Sequence, residues 1–136
     1  MNKVFADTSF WVAAIDPHDQ WHPRAVTERS NLRQSMIVTT DEVLLAFLNM
    51  FCEKGQWFRE MATRFVRRTM DTAGVIVYPQ TRDSLLAGLK FYESRRDKEY
   101  SLTDCISMVV MRREGIQEVL TTDHHFEQEQ LICLLK

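Results

Sequence analysis

Apolar positions along the chain alternate between two periods. Five short β-rich runs, Lys3–Ala6, Met36–Thr39, Val75–Tyr78, Glu118–Thr121 and Leu131–Leu134, have the composition of strands, the central ones nearly continuously apolar and so expected to be covered on both faces. Helical patterns fill the gaps. Pro23 opens a helix running to about Gln34, because proline at a first helical position forfeits an N–H that had no partner there. Thr39-Thr40-Asp41-Glu42 carries a capping-box pattern that starts a helix through about Glu53. Ser101-Leu102-Thr103-Asp104 starts another, on which Leu102, Ile106, Val109 and Val110 share a face and which Gly115 stops. This alternation predicts an α/β sandwich with a mainly parallel sheet and right-handed crossovers. No repeat or linker interrupts it. The loose stretches Asp16–His22, Lys54–Gln56 and Ser94–Tyr100 read as loops inside one domain spanning residues 1–136.

Composition narrows the class. A chain of 136 residues with 45% hydrophobic and 26% charged content is expected to build one core. Seventeen Lys and Arg against 19 Asp and Glu exclude a polybasic nucleic-acid binder. The start reaches Asp7 before an apolar stretch of signal-peptide length forms, so a cytoplasmic protein is expected. The longest aliphatic-aromatic run, Val43 to Leu48, falls far short of the roughly 18 residues of a membrane span, and no membrane is implied. Cys52, Cys105 and Cys133 are odd in number and unpaired in spacing, which predicts buried thiols in a reducing compartment.

Candidate chemistry lies after the strands, where ligands bind in folds of this class. Asp7 follows the first strand and Asp123 the fourth; Glu42 and Asp104 lie in the first turns of their helices. Each has an ordinary explanation. Glu42 and Asp104 occupy the third position of capping boxes, and Asp7 and Asp123 suit turns. The coincidence of four acids at the functional ends of their elements outweighs the individual readings. Two unit charges 4 Å apart repel by about 4 kcal/mol at an effective dielectric of 20, so converging carboxylates call for a cation. An all-oxygen donor set favours Mg²⁺ or Mn²⁺ over Zn²⁺, and ions so held serve phosphoryl-transfer or hydrolytic chemistry.

Four segments, Val4-Phe5-Ala6-Asp7-Thr8-Ser9, Thr39-Thr40-Asp41-Glu42-Val43, Ser101-Leu102-Thr103-Asp104-Cys105-Ile106 and Leu120-Thr121-Thr122-Asp123-His124-His125-Phe126, resemble in order the signature segments of PIN-domain ribonucleases. The likeness is closest to the VapC type, the toxin half of prokaryotic toxin–antitoxin pairs, and it spans essentially the whole chain. It implies a three-layer α/β/α sandwich with a five-stranded parallel sheet of order 3-2-1-4-5. It also implies Mg²⁺- or Mn²⁺-dependent endonuclease activity on RNA, leaving 5′-phosphate and 3′-hydroxyl ends. By that similarity Asp7, Glu42, Asp104 and Asp123 match the acidic quartet that holds metal and performs catalysis, and Ser9 matches a helper hydroxyl. Many members carry a further acid two residues after the last quartet Asp; here His125 stands there, as an auxiliary residue that orients water or contacts phosphate.

The resemblance also supplies partners: an RNA substrate, an antitoxin protein and a second copy of the chain in a homodimer. Arg95, Arg96 and Lys98, leading into the Asp104 helix, are the preferred phosphate-contacting residues, with Tyr100 either stacking on a base or filling the core. Further basic clusters lie at Arg59, Arg64, Arg67 and Arg68 and at Arg112 and Arg113. Phe47, Leu48, Phe51, Trp57 and Phe58 belong mostly to the core, with any exposed remainder suited to an antitoxin segment. The rival to a toxin nuclease is a silent or housekeeping PIN protein that binds or processes RNA. A phosphate-accepting receiver lacks its acid at Tyr78-Pro79-Gln80, and a haloacid-dehalogenase-like phosphatase lacks an acid at Ser9.

Overall fold

The computed structural model describes all 136 residues. Five strands, β1 (Lys3–Ala6), β2 (Met36–Thr40), β3 (Val75–Tyr78), β4 (Glu118–Leu120) and β5 (Ile132–Cys133), form one sheet of order β3-β2-β1-β4-β5. Every pairing is parallel, with Phe5 opposite both Val38 and Val119. Six helices connect them: α1 (Thr8–Ile15), α2 (His22–Asn31), α3 (Asp41–Met50), α4 (Gln56–Asp71), α5 (Arg82–Ser94) and α6 (Leu102–Glu114). The chain winds outward from β1 through β2 to β3, then returns to the other side of β1. With right-handed connections this reversal sets helices on both faces, which is the sandwich expected from the sequence. It also makes β1 and β4 neighbours, and the Asp7 amide extends their ladder by donating to the Leu120 carbonyl at 3.1 Å.

The buried apolar residues form one connected cluster, and the central strand is its axis, with Val4, Phe5 and Ala6 all inaccessible. A chain of aromatic contacts binds α1, α3 and α4 together, from Phe10 through Trp11 and Phe65 to Phe47 and Phe51. Phe47 and Phe51 are therefore core, Leu48 and Phe58 pack partly buried against it, and Trp57 alone of the expected patch stands out in solvent.

Local chemistry shifts some predicted boundaries. The helix expected from Thr39 is capped by Thr40, whose hydroxyl accepts from the Val43 amide at 3.1 Å, because β2 runs one residue further to pair Thr40 with Tyr78. Thr39 turns inward instead, donating to the Ala6 carbonyl at 2.9 Å and accepting from the Trp11 indole. The capping box expected on Glu42 thus does not form. The box at Ser101 does, with both reciprocal bonds to Asp104 in place.

Helices α5 and α6 approach closely at Gly88, where an added Cβ would collide with Ile106 Cγ1 and touch Leu102. Gly88→Ala is therefore expected to destabilise by about 1–2 kcal/mol, overpacking outweighing the gain in helix propensity. Urea melts check this: the midpoint should fall with an unchanged slope.

Candidate active site

Three of the four predicted acids meet. Asp7 enters from the end of β1, Asp104 from the first turn of α6 and Asp123 from the loop after β4, and one oxygen of each lies within 4.8 Å of the others. Asp7 is 5% exposed and Asp104 8%, while the side chain of Asp123 is 30% exposed and opens the cluster to solvent. Asp7 sits at the N-cap of α1 yet caps nothing with its side chain, so the ordinary turn-forming role does not account for it. Asp104 does act as a capping residue through Oδ2, and Asp123 Oδ1 accepts from the His125 amide at 2.9 Å. These bonds aim the carboxylates without neutralising them: no lysine or arginine pairs with any of the three.

The electrostatic consequence is strong. Burial pushes the Asp7 carboxyl up from 3.8 to about 7, with the neighbouring charges of Asp104 and Asp123 adding to the effect. Asp104 is raised as well, first by burial and then by Asp123. A site that resists its own ionisation is suited to a divalent cation, and the hard oxygen donors fit Mg²⁺ or Mn²⁺.

Glu42 stands outside this trio. Freed from capping by the shift to Thr40, it is buried in the first turn of α3 and accepts a 2.9 Å hydrogen bond from the Ser84 hydroxyl at the start of α5. Neither Ser84 nor Thr121 stood out in the sequence. Thr121, fully buried after β4, donates to Asp7 Oδ2 at 2.9 Å and accepts from the Asp123 amide at 3.0 Å. Ser9 completes the support: its hydroxyl lies 3.2 Å from Thr121 Oγ1 and accepts from the Thr122 amide at 3.1 Å. Thr121 is a conformational tie between two acids, so Thr121→Val is expected to weaken divalent-ion binding about tenfold with the fold retained. Isothermal titration with Mn²⁺ measures this.

His125 lies over the cluster with Nδ1 at 3.3 Å from both Asp104 Oδ2 and Asp123 Oδ1. Beside it, a cavity of about 620 Å³ is lined by Tyr92, Arg95, Arg96, Lys98, Tyr100 and Cys105, among others. Within it Arg95 is already engaged: it clamps Glu129 with two bonds of 2.9 and 3.0 Å and lies over the Phe91 ring. Tyr100 is core, 4% exposed, with its hydroxyl on Glu129 at 2.8 Å. Arg96 is exposed, and Lys98 is partly buried with its ammonium 3.6 Å from Asp97. Arg96 and Lys98 are thus the predicted phosphate contacts less committed to internal structure.

The PIN-domain family model matches residues 4–129. The chain belongs to the PIN domain family. Among solved structures, VapC20 of Mycobacterium tuberculosis, described as a sarcin-ricin loop cleaving toxin, is similar in fold to this PIN chain with a TM-score of 0.83 at 23% identity, covering 95% of this chain and 96% of the other. FitAcB from Neisseria gonorrhoeae is similar with a TM-score of 0.71 at 12% identity, covering 96% and 95% respectively. No curated protein sequence matches significantly. The strand order and the PIN-like architecture implied by the sequence segments are those of the structure.

Proposed function

We propose that this PIN domain is a metal-dependent endoribonuclease acting at the Asp7, Asp104 and Asp123 cluster, and that it serves as the toxin of a VapC-type pair. The carrying observation is the convergence, within 4.8 Å, of three carboxylates from three separate elements, with no lysine or arginine paired to any of them. Family membership and the fold shared with a sarcin-ricin loop cleaving toxin support the same reading.

In this proposal the trio holds Mg²⁺ or Mn²⁺, and the ion, when bound, acidifies water and neutralises charge on the scissile phosphate. The chain's own residues do the rest. Thr121 and Ser9 fix the orientation of Asp7 and Asp123. Glu42, held by the Ser84 hydroxyl, is the fourth acid of the proposal, accepting a proton or supporting the ion. Arg96 and Lys98 hold the RNA backbone along the adjoining cavity, and the weak net charge of the whole protein is then no obstacle, because the substrate is bound locally. An antitoxin segment, a homodimer and a cytoplasmic setting complete the proposal; no helix is long and apolar enough to cross a membrane.

A thermal melt tests the metal site without assuming a substrate. Mn²⁺ at 100 times its dissociation constant is expected to stabilise the protein by about 2.7 kcal/mol, a rise of several degrees in melting temperature. An unchanged melting temperature at millimolar Mn²⁺ counts against the site.

A further inference from the structure

The two ends of the sheet differ in charge. Asp7 and Asp123 follow β1 and β4, so the acid cluster lies at the carboxyl ends of the strands. At the opposite end, where β2 and β3 begin, a cavity of about 380 Å³ is lined by Arg29, Ser30, Arg33, Ser35, Ile37 and Gly74, among others. No aspartate or glutamate lines it.

Arg29 is the unusual member. Of all the arginines only Arg29 and Arg95 are half-buried. Arg95 is neutralised by Glu129 through bonds of 2.9 and 3.0 Å, whereas no carboxylate pairs with Arg29. The adjacent acid, Glu28, faces Arg24 at 3.1 Å. The Arg29 guanidinium lies instead 6.0 Å from the centre of the buried Trp11 ring, and burial pulls its pKa below the ordinary value. Arg33, four residues on and exposed, has no acid partner either. A cation drawn partly out of water costs free energy unless an opposite charge meets it. The ordinary reading is that cations near the carboxyl end of a helix complement its dipole, and α2 ends at Asn31. That accounts for the sign of the charge but not for a cavity between two unpaired guanidinium groups. The amides of Ala73 and Gly74, which also line the cavity, add two donors with no backbone acceptor.

We propose that this cavity is a phosphate-binding site in which Arg29 and Arg33 together hold the phosphate group of a small molecule. Two guanidinium forks match the charge and the several acceptor oxygens of a phosphate dianion. Val26, Leu32 and Ile37 supply an apolar wall, so the organic part of a phosphomonoester is accommodated as well as the free ion. The site stands at the far end of the strands from the acid trio, and is therefore distinct from the place where the scissile phosphate of an RNA would sit.

Arginine Nε–H resonances of the full-length protein in EDTA, titrated with inorganic phosphate at constant ionic strength, test the site. The Arg29 and Arg33 signals are expected to shift saturably with one shared midpoint. Arg29→Met keeps an adaptable apolar side chain against Trp11, and Arg33→Gln changes an exposed position; each should weaken phosphate binding by at least about tenfold. Phosphate should raise the melting temperature of the wild type and of Arg96→Gln, which alters the other basic cavity, but not that of Arg29→Met. Tighter binding of phenyl phosphate than of inorganic phosphate supports the site with an ester as its ligand, and equal binding supports it with the free ion. Arginine signals that all drift alike without saturating, or a phosphate-dependent rise in melting temperature retained in both Arg29→Met and Arg33→Gln, overturn the site and leave the nuclease reading untouched.

Discussion

Asp104→Asn is expected to lower RNA cleavage by about three orders of magnitude, equivalent to about 4 kcal/mol of transition-state stabilisation, with the fold unchanged. The substitution is nearly isosteric, and its amide oxygen can still accept from the Ser101 amide, so the capping box that starts α6 survives. What it removes is one of three charges that converge within 4.8 Å. An ion held by two carboxylates instead of three is bound more weakly and placed less firmly, and both losses fall on the chemical step. Single-turnover cleavage of a labelled RNA at saturating Mn²⁺ measures the effect, with circular dichroism as the control on folding. Retention of more than a tenth of the wild-type rate would contradict the assignment of Asp104.

Asp7→Asn is expected to act in opposite directions on activity and stability. Its carboxyl is raised to about 7 by burial, with Asp104 and Asp123 contributing, whereas in the unfolded chain it titrates near 3.8. Between those values the folded state holds a proton that the unfolded state has released, so metal-free stability falls as pH rises through this window and levels off above about 7. A shift of this size corresponds to about 4 kcal/mol at most. Asparagine removes that penalty while keeping an oxygen for the Thr121 hydroxyl. The metal-free variant should therefore be more stable than the wild type by about 2–4 kcal/mol at pH 8, and show no such gain at pH 4. Denaturant melts in EDTA at the two pH values test the sign. A wild type as stable as Asp7→Asn at pH 8 would show that Asp7 ionises without cost. Saturating Mn²⁺ should narrow the difference, because the ion binds the protein that retains all three acids more tightly and so stabilises it more.

The architecture was largely legible because the inner strands β2, β1 and β4 are largely buried and so stand out as apolar runs. Asp7 follows one such run directly and Asp123 another after two threonines, and Asp104 sits in an unambiguous Ser-x-x-Asp pattern. Glu42 was placed correctly in α3 but given the wrong local role. Two adjacent threonines offer two capping frames, and only the pairing of Thr40 with Tyr78 in the neighbouring strand selects the second. Of the hydroxyls that organise the site, Ser9 was named from the sequence but Thr121 and Ser84 were not. Thr121 reaches Asp7 only because β4 lies against β1, and Ser84 reaches Glu42 only once α5 has returned beside α3. The same is true of Arg95: a cation before the Asp104 helix suggests phosphate binding, but its partner Glu129 lies beyond β4 and claims the guanidinium when the chain folds.

The central claim is that the convergent acids make this PIN domain a metal-dependent ribonuclease. The measurement that tests it most directly is cleavage of RNA by the purified wild-type chain after exhaustive EDTA treatment, followed by stepwise return of Mn²⁺. No cleavage in EDTA, recovery with rising Mn²⁺, and products ending in 5′-phosphate and 3′-hydroxyl are the results expected. Cleavage that persists undiminished in EDTA, or an inert protein at saturating Mn²⁺ on every RNA offered, would contradict it.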